Sequence, residues 1–318
     1  MTEGEPGGLP YHRLHRALAG RGDWWRPMVG VVALAVGLLV IAPIVVLAAF
    51  TVGYAVQGAN IEDSLTRLTD TDDVTPAGLA FVFVVLASAI PVTWAVSRLL
   101  HGVRPRWLSS VAPRIRWRWF AACLGLAVVA LGATLLVSGL LPDQGGAEMS
   151  GELNDFTRTT RDFALVVFLL TPLQAAGEEY AFRGYLTQAF GGLIPQVWVA
   201  VVVPAVLFAL AHGLGQSWPI FFDRFAFGLV AGTLVILTGG LEAGIAMHVL
   251  NNWLAFGLAL AYGDMSSALN PTGGTWWSIP VTLTQSLVYL GLAVLVGRRM
   301  GLQTSTTPGV LEASGRRV

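Results

Sequence analysis

Charge is what this 318-residue sequence has least of: Asp, Glu, Arg and Lys together make 12% of it, against 54% hydrophobic residues. A soluble domain carries about 25% charged residues, so a fold of this size has too little polar surface for water. Lysine is absent, and all nineteen basic residues are arginine, a composition read as codon usage in a GC-rich bacterial genome. Nineteen acids balance them, leaving a net charge of zero, so no nucleic acid or other polyanionic partner is expected. Cysteine occurs once, at Cys123, which excludes an intrachain disulfide and a cysteine zinc cluster. A small core residue is expected there.

What fills the sequence instead is long apolar runs, and the mean hydropathy is +0.66. Residues 28–56, 78–98, 119–141, 163–177, 197–211, 219–238, 241–262 and 276–297 are largely free of charge. A membrane helix needs about 20 apolar residues, with a range of about 17–25. Most of the runs qualify outright, and 163–177 does so only by continuing through Glu178, Glu179 and Arg183. The fold class expected is therefore all-α, a polytopic helical bundle with about eight transmembrane helices. The first run is too long for a signal peptide and is expected to stay as a helix.

Arginines set the orientation. Residues 1–26 carry four and 98–118 carry six with no acid, whereas 57–77 and 142–162 each carry five acids and at most two arginines. Eight spans with both termini cytoplasmic satisfy the positive-inside rule, and Trp24-Trp25, Trp117, Trp119 and Trp276-Trp277 stand at run boundaries like an aromatic belt. The organisation expected is a cytoplasmic N-terminal arm over 1–27 and three transmembrane helices with loops over 28–162. A catalytic membrane core over 163–262 follows, then a last loop and helix over 263–297 and a flexible cytoplasmic tail over 298–318. Residues 1–25 and 304–318 read as mobile ends. The charged stretch from 178 to 200, with its "GGLIP", is expected to be broken, re-entrant, or a helix ending beside the membrane. Gly228 and Gly232, four apart, would let two helices approach closely. The setting implied is a bacterial plasma membrane; oligomeric state is not legible.

Ionisable residues at bilayer depth are costly and default to function. Glu179 and Arg183 are four apart and share a helix face, while Glu178 points about 100° away. One glutamate can thus pair with the arginine and the other is left free. His212 ends an apolar run with Phe208 four residues earlier, and His248 has Asn252 four residues later. Helix rise puts Glu178 about 18 Å, His212 about 20 Å, and His248 and Asn252 about 10 and 16 Å from the cytoplasmic edge, compatible with one cluster open to the cytoplasm. Asp223 and Arg224 are placed near the outer end of the sixth span, and Glu242 at a helix start where an acid suits the dipole. No chemistry is expected of these three.

Glu178-Glu179-x-x-x-Arg183, Phe208-x-x-x-His212 and His248-x-x-x-Asn252, in that order on separate apolar helices, resemble the three motifs of the CPBP intramembrane proteases. That family covers CAAX-processing and bacteriocin-processing (Abi) proteins and the Ras-converting CAAX endopeptidases. The likeness spans about residues 165–258. It implies hydrolysis of a peptide bond in a membrane-associated peptide or protein. Glu178 and His212 would activate water, His248 and Asn252 would hold the oxyanion, and Glu179, Arg183 and Phe208 would support them. Burial in an apolar cavity is how a carboxylate becomes a usable base near neutrality. No cofactor is required in the preferred, glutamate-type reading. The alternative is a metalloprotease-like zinc site on Glu178, His212 and His248 with an open position for water, although His-Glu-x-x-His is absent. Two rival functions use the same cluster: a non-catalytic scaffold or immunity-type partner, and a proton-coupled transporter. A GC-rich bacterial origin makes a prenylated C-terminus a less apt substrate than a peptide or membrane-protein segment.

Overall fold

Inside a bilayer no water is available to pair backbone N–H and C=O groups, so each crossing segment must close its own hydrogen bonds as a helix. The computed structural model describes residues 8–17, 22–142, 144, 152–213, 215–269 and 274–307. Among these, regular structure is helical apart from two isolated bridges, Pro10–Ser305 and Ser110–Gly240. Six helices are long and apolar enough to cross a membrane: α1 (Trp25–Val56), α2 (Pro76–His101), α3 (Trp117–Leu140), α6 (Trp218–Thr238), α7 (Glu242–Tyr262) and α8 (Ser278–Arg299). The other two expected segments are α4, beginning as Arg158–Glu179, and the shorter α5, Val197–Ala211. The chain is a multi-pass membrane protein.

The segment 178–200 is not broken where its charges stand. A capping box of Thr157 and Thr160 starts α4. The helix then runs through Glu179 into a π-helical stretch, Tyr180–Leu186, and on through Thr187–Leu193. It ends at Ile194, whose extended backbone is what a following proline, Pro195, favours. Single π turns inside α-helices concentrate at functional sites. The three charges need no break because, as shown below, each finds its partners inside the bundle.

At the centre lies α7, packed against α3, α4 and α6, with Glu242 to Val249 buried without interruption. The helices α5 and α6 meet closely, as the Gly228/Gly232 spacing leads one to expect. A Cβ on Gly228 would come within 2.9 Å of Ala205, and one on Gly232 within 3.1 Å of Val201.

The two ends of the bundle differ. At the arginine-rich end a 3₁₀ helix, Tyr11–Arg16, tucks Tyr11, His12, Leu14 and His15 into the protein. Leu9 pairs with Thr306, and the Tyr11 hydroxyl donates to the Leu108 carbonyl. Residues 8–17 and 302–307 are therefore packed together, which corrects the expectation of mobile ends there. Residues 1–7, 18–21 and 308–318 lie outside the described residues. The opposite end is tied by Asn154, whose amide donates to the Leu260 and Gly263 carbonyls. Cys123 is fully buried, the core residue expected.

Candidate active site

Helical spacing alone brings the first four groups into line. On α4, Gln174 stands one turn before Glu178, and its Nε2 donates to Glu178 Oε1 at 2.8 Å. One residue on, Glu179 faces another way and accepts from Arg183 Nη1 at 2.9 Å, with both side chains at most 1% exposed. The guanidinium lies over the Phe208 ring at 4.1 Å, so a cation–π contact adds to the ion pair. The division foreseen from spacing holds: Glu179 pairs with Arg183, and Glu178 does not.

Packing of α7 on α4 adds what spacing cannot. His248 stands between the two glutamates, with Nδ1 3.0 Å from Glu179 Oε1 and Nε2 3.5 Å from Glu178 Oε2. The Glu179 carboxylate fixes the proton on Nδ1 and thereby the tilt of the ring, the usual role of a carboxylate behind a working histidine. Phe208 and Phe227 hold the ring edge-on at 6.1 and 5.0 Å. The close approach needs Gly244, because a Cβ there would stand 2.7 Å from Glu179 Oε2.

The amides form a directed chain. Gln285 Nε2 donates to Asn251 Oδ1, Asn251 Nδ2 to Asn252 Oδ1, Asn252 Nδ2 to Gln174 Oε1, and Gln174 Nε2 to Glu178 Oε1. Four bonds run one way and end on the carboxylate. Each polarises the next, so the last donor is stronger than an isolated amide. Glu178 Oε2 accepts no hydrogen bond among the described residues. The carboxylate is thus held by one oxygen and open at the other.

His212 is placed apart. It caps the end of α5 and is exposed. Its Nδ1 lies 2.8 Å from the Phe208 carbonyl of its own helix, and its ring packs against Phe208 at 4.6 Å. The charged groups around it are Arg224, Glu178 and His248, so it borders the cluster without a direct bond into it. Among the described residues no three His, Cys, Asp or Glu side chains gather in a way that could hold a metal ion. Glu178, His212 and His248 as placed do not fit one zinc, and no step below passes through a metal.

A cavity of about 240 Å³ ends on His248 and Asn252, with Phe208, Phe227 and Arg224 in its walls. Its far part is lined by Gln144, Gly274 and Ser278. These belong to the acidic-loop end of the bundle, so the cavity reaches the end opposite the arginine-rich one. The expectation of a cluster open to the arginine-rich, cytoplasmic side is corrected accordingly. Arg224, to which no role was given, is on the cavity wall. Glu242, read as a helix-start acid, is also the buried partner of Arg116 at 2.7 Å.

Sequence reasoning missed Gln174, Asn251 and Gln285. Gln174 carried a signal, a polar residue one turn before Glu178 in an apolar run; Asn251 and Gln285 belong to different helices and carried none.

Residues 160–254 match a family model described as "Type II CAAX prenyl endopeptidase Rce1-like". The segment contains all three motifs, so the resemblance stated from them is borne out. An uncharacterized protein, YyaK of Bacillus subtilis (strain 168), is 26% identical over 293 residues, covering 88% of this chain and 94% of that protein. No solved structure matches the chain.

Proposed function

We propose that the protein is an intramembrane endopeptidase that hydrolyses a peptide bond in a membrane-associated peptide or protein, with Glu178 as general base. The observation that carries this reading is the pair of unlike contacts on Glu178: a relay of amides fixing Oε1, and an unbonded Oε2 facing His248. A base needs both a fixed orientation and a free lone pair. In the step proposed, Oε2 takes a proton as the water oxygen bonds to the carbonyl carbon. The carbonyl oxygen becomes an oxyanion, and the same proton passes to the departing amine as the C–N bond breaks. The second N–H of Asn252, and His248 Nε2 when both ring nitrogens carry a proton, would donate to the oxyanion, and each such donor typically contributes a factor of about 10²–10³. His212 would enter from the end of α5 to share the water.

The likeness to prenyl endopeptidases supports peptide-bond cleavage as the chemistry. For the substrate, a peptide or membrane-protein segment is proposed over a prenylated C-terminus. A peptidomic comparison of cells carrying the wild-type and Glu178→Gln proteins tests this, and accumulation of prenylated C-termini would reverse it. The setting proposed is the bacterial plasma membrane.

The deciding experiment is cleavage of a peptide library by the purified chain in detergent micelles, with and without a strong chelator, beside Glu178→Gln. Activity lost in the variant and retained under chelation is expected. Loss under chelation restored by zinc would make the reaction metal-dependent. Cleavage indifferent to Glu178→Gln would leave a binding role for the cluster and end the protease reading.

A further inference from the structure

The cavity wall carries a cation that the proposed chemistry does not use. Arg224, in the second turn of α6, makes no hydrogen bond or ion pair among the described residues, yet it is half-buried and stands on the cavity surface. The other two arginines inside the bundle are paired, Arg183 with Glu179 and Arg116 with Glu242. An unpaired guanidinium among membrane helices is costly and marks a functional position.

The neighbouring acids, Glu178 and Asp223, attract it without bonding to it. Asp223 precedes it in sequence, so its side chain leaves the helix about 100° away, on the same cavity wall as Ser278 and Thr282. Glu178 Oε1 accepts from Gln174 and its Oε2 faces His248 at 3.5 Å, so neither oxygen bonds the guanidinium. The rest of the wall is mixed: besides Asp223 and the hydroxyls of Ser278, Thr282 and Ser286, it carries apolar and amide side chains. Ile220 and Phe227 are apolar, and Asn251 and Gln285 are amides. Apolar side chains and backbone amides of a peptide match these respectively, and a planar carboxylate matches the five N–H fork of an arginine in bidentate fashion.

We propose that Arg224 determines the specificity of this cavity by taking a carboxylate of the peptide substrate, and this rests on the protease reading above. The carboxylate belongs either to the peptide's C-terminus or to an Asp or Glu side chain. It enters from the end of the bundle formed by Gln144 and Gly274 and meets Arg224 before the scissile bond meets His248. A cavity of about 240 Å³ holds a few residues at most, so the bond cut lies within a few residues of the acid.

The probe is a library of N-myristoylated decapeptides in three forms: free C-terminal acid, C-terminal amide, and amide with one Glu three residues from the end. Each is presented in micelles to the full chain carrying Glu178→Gln, which prevents turnover, and bound peptides are counted by mass spectrometry. Acid-bearing forms should be enriched over the plain amide by about 10- to 100-fold, the worth of a charge-assisted hydrogen bond. Adding Arg224→Gln should bring the ratio close to one, and Arg224→Lys should keep part of it. Whichever acid form is enriched identifies the source of the carboxylate. Equal capture of all three forms, or a preference that survives Arg224→Gln, would overturn the proposal. In the chain with Glu178 intact, Arg224→Gln should lower kcat/KM for the preferred acid form relative to the amide; an equal fall on both would also overturn it. Cleavage indifferent to Glu178→Gln would sink the protease reading alone, because the capture experiment still reads Arg224.

Discussion

Two buried ion pairs stand at different levels of the bundle, and they are built differently. Arg116 closes on Glu242 with three bonds: its backbone N–H and Nε to Oε1 at 2.9 and 2.8 Å, and Nη2 to Oε2 at 2.7 Å. Its Nη1 goes to the Thr238 carbonyl. Nothing on Glu242 is left to offer. Glu179 and Arg183 share a single bond of 2.9 Å, and Glu179 Oε2 and Arg183 Nη2 have no partner among the described residues. The bonded oxygen of Glu179 also faces His248. A pair that is complete fastens helices, while a pair kept incomplete has capacity to orient something else. Completeness, more than burial, separates scaffold from site here.

The largest effect expected leaves both pairs in place. Glu178→Gln should lower kcat by about 10²–10⁴-fold, the usual worth of a general base, with the thermal midpoint in micelles little changed. An equal loss of folding would place Glu178 with the fasteners.

Breaking each pair by one partner comes next. Glu242→Gln and Glu179→Gln should each destabilise by about 3–5 kcal/mol, because a buried arginine is left uncompensated. Their effects on catalysis should part company. The fraction of Glu242→Gln protein that stays folded should cleave at the wild-type rate, whereas Glu179→Gln should be slow even when folded, its His248 having lost its orienting carboxylate. Active-site titration beside a melting curve separates the two.

Glycines sharpen the contrast at smaller cost. A Cβ at Gly240 would lie 2.6 Å from Arg116 Nη2, and one at Gly244 lies 2.7 Å from Glu179 Oε2. Gly240→Ala should lower stability without touching kcat. Gly244→Ala should move Glu179 against His248 and lower kcat more than stability. Comparable kcat losses in both would erase the distinction drawn.

The smallest effect concerns the arginine-rich end, away from both pairs. His15 is buried against the stacked ring of His101, centroids 4.2 Å apart. Burial first, and the neighbouring histidine second, hold its pKa well below the usual value. The unfolded chain then binds the proton that the folded one refuses. Stability is therefore full above about pH 6.5 and falls as acid is added below it. A melting series from pH 8 to 5 should show this fall, and His15→Asn should flatten it. A slope unchanged in that variant would assign it to other groups.

How much of this could be read from the sequence follows from the range of each interaction. Apolar runs pointed to a helical membrane bundle, of which six helices are long and apolar enough to cross, because membrane insertion acts on local composition. The Glu179–Arg183 pair was legible because it needs only helical spacing. The Glu242–Arg116 pair was not, since the partners are separated by 126 positions. His248 against Glu179 likewise depends on how α7 packs on α4. His12, His15 and His101 stand in polar stretches of the sequence, yet all three are buried. They are buried because those segments fold onto one another. Arg224 could be placed on its helix from sequence, but only the packed bundle shows which cavity that helix lines.

Fifteen residues make α5 about 22 Å long, while the hydrocarbon layer is about 30 Å thick. Lipid beside this helix must thin to meet it, at a modest cost for each ångström of mismatch. His212, at the end of α5, therefore stands where the bilayer is already yielding. On the protease reading, activity would then depend on acyl-chain length: thick, saturated membranes would oppose the dimple and short-chain lipids would favour it.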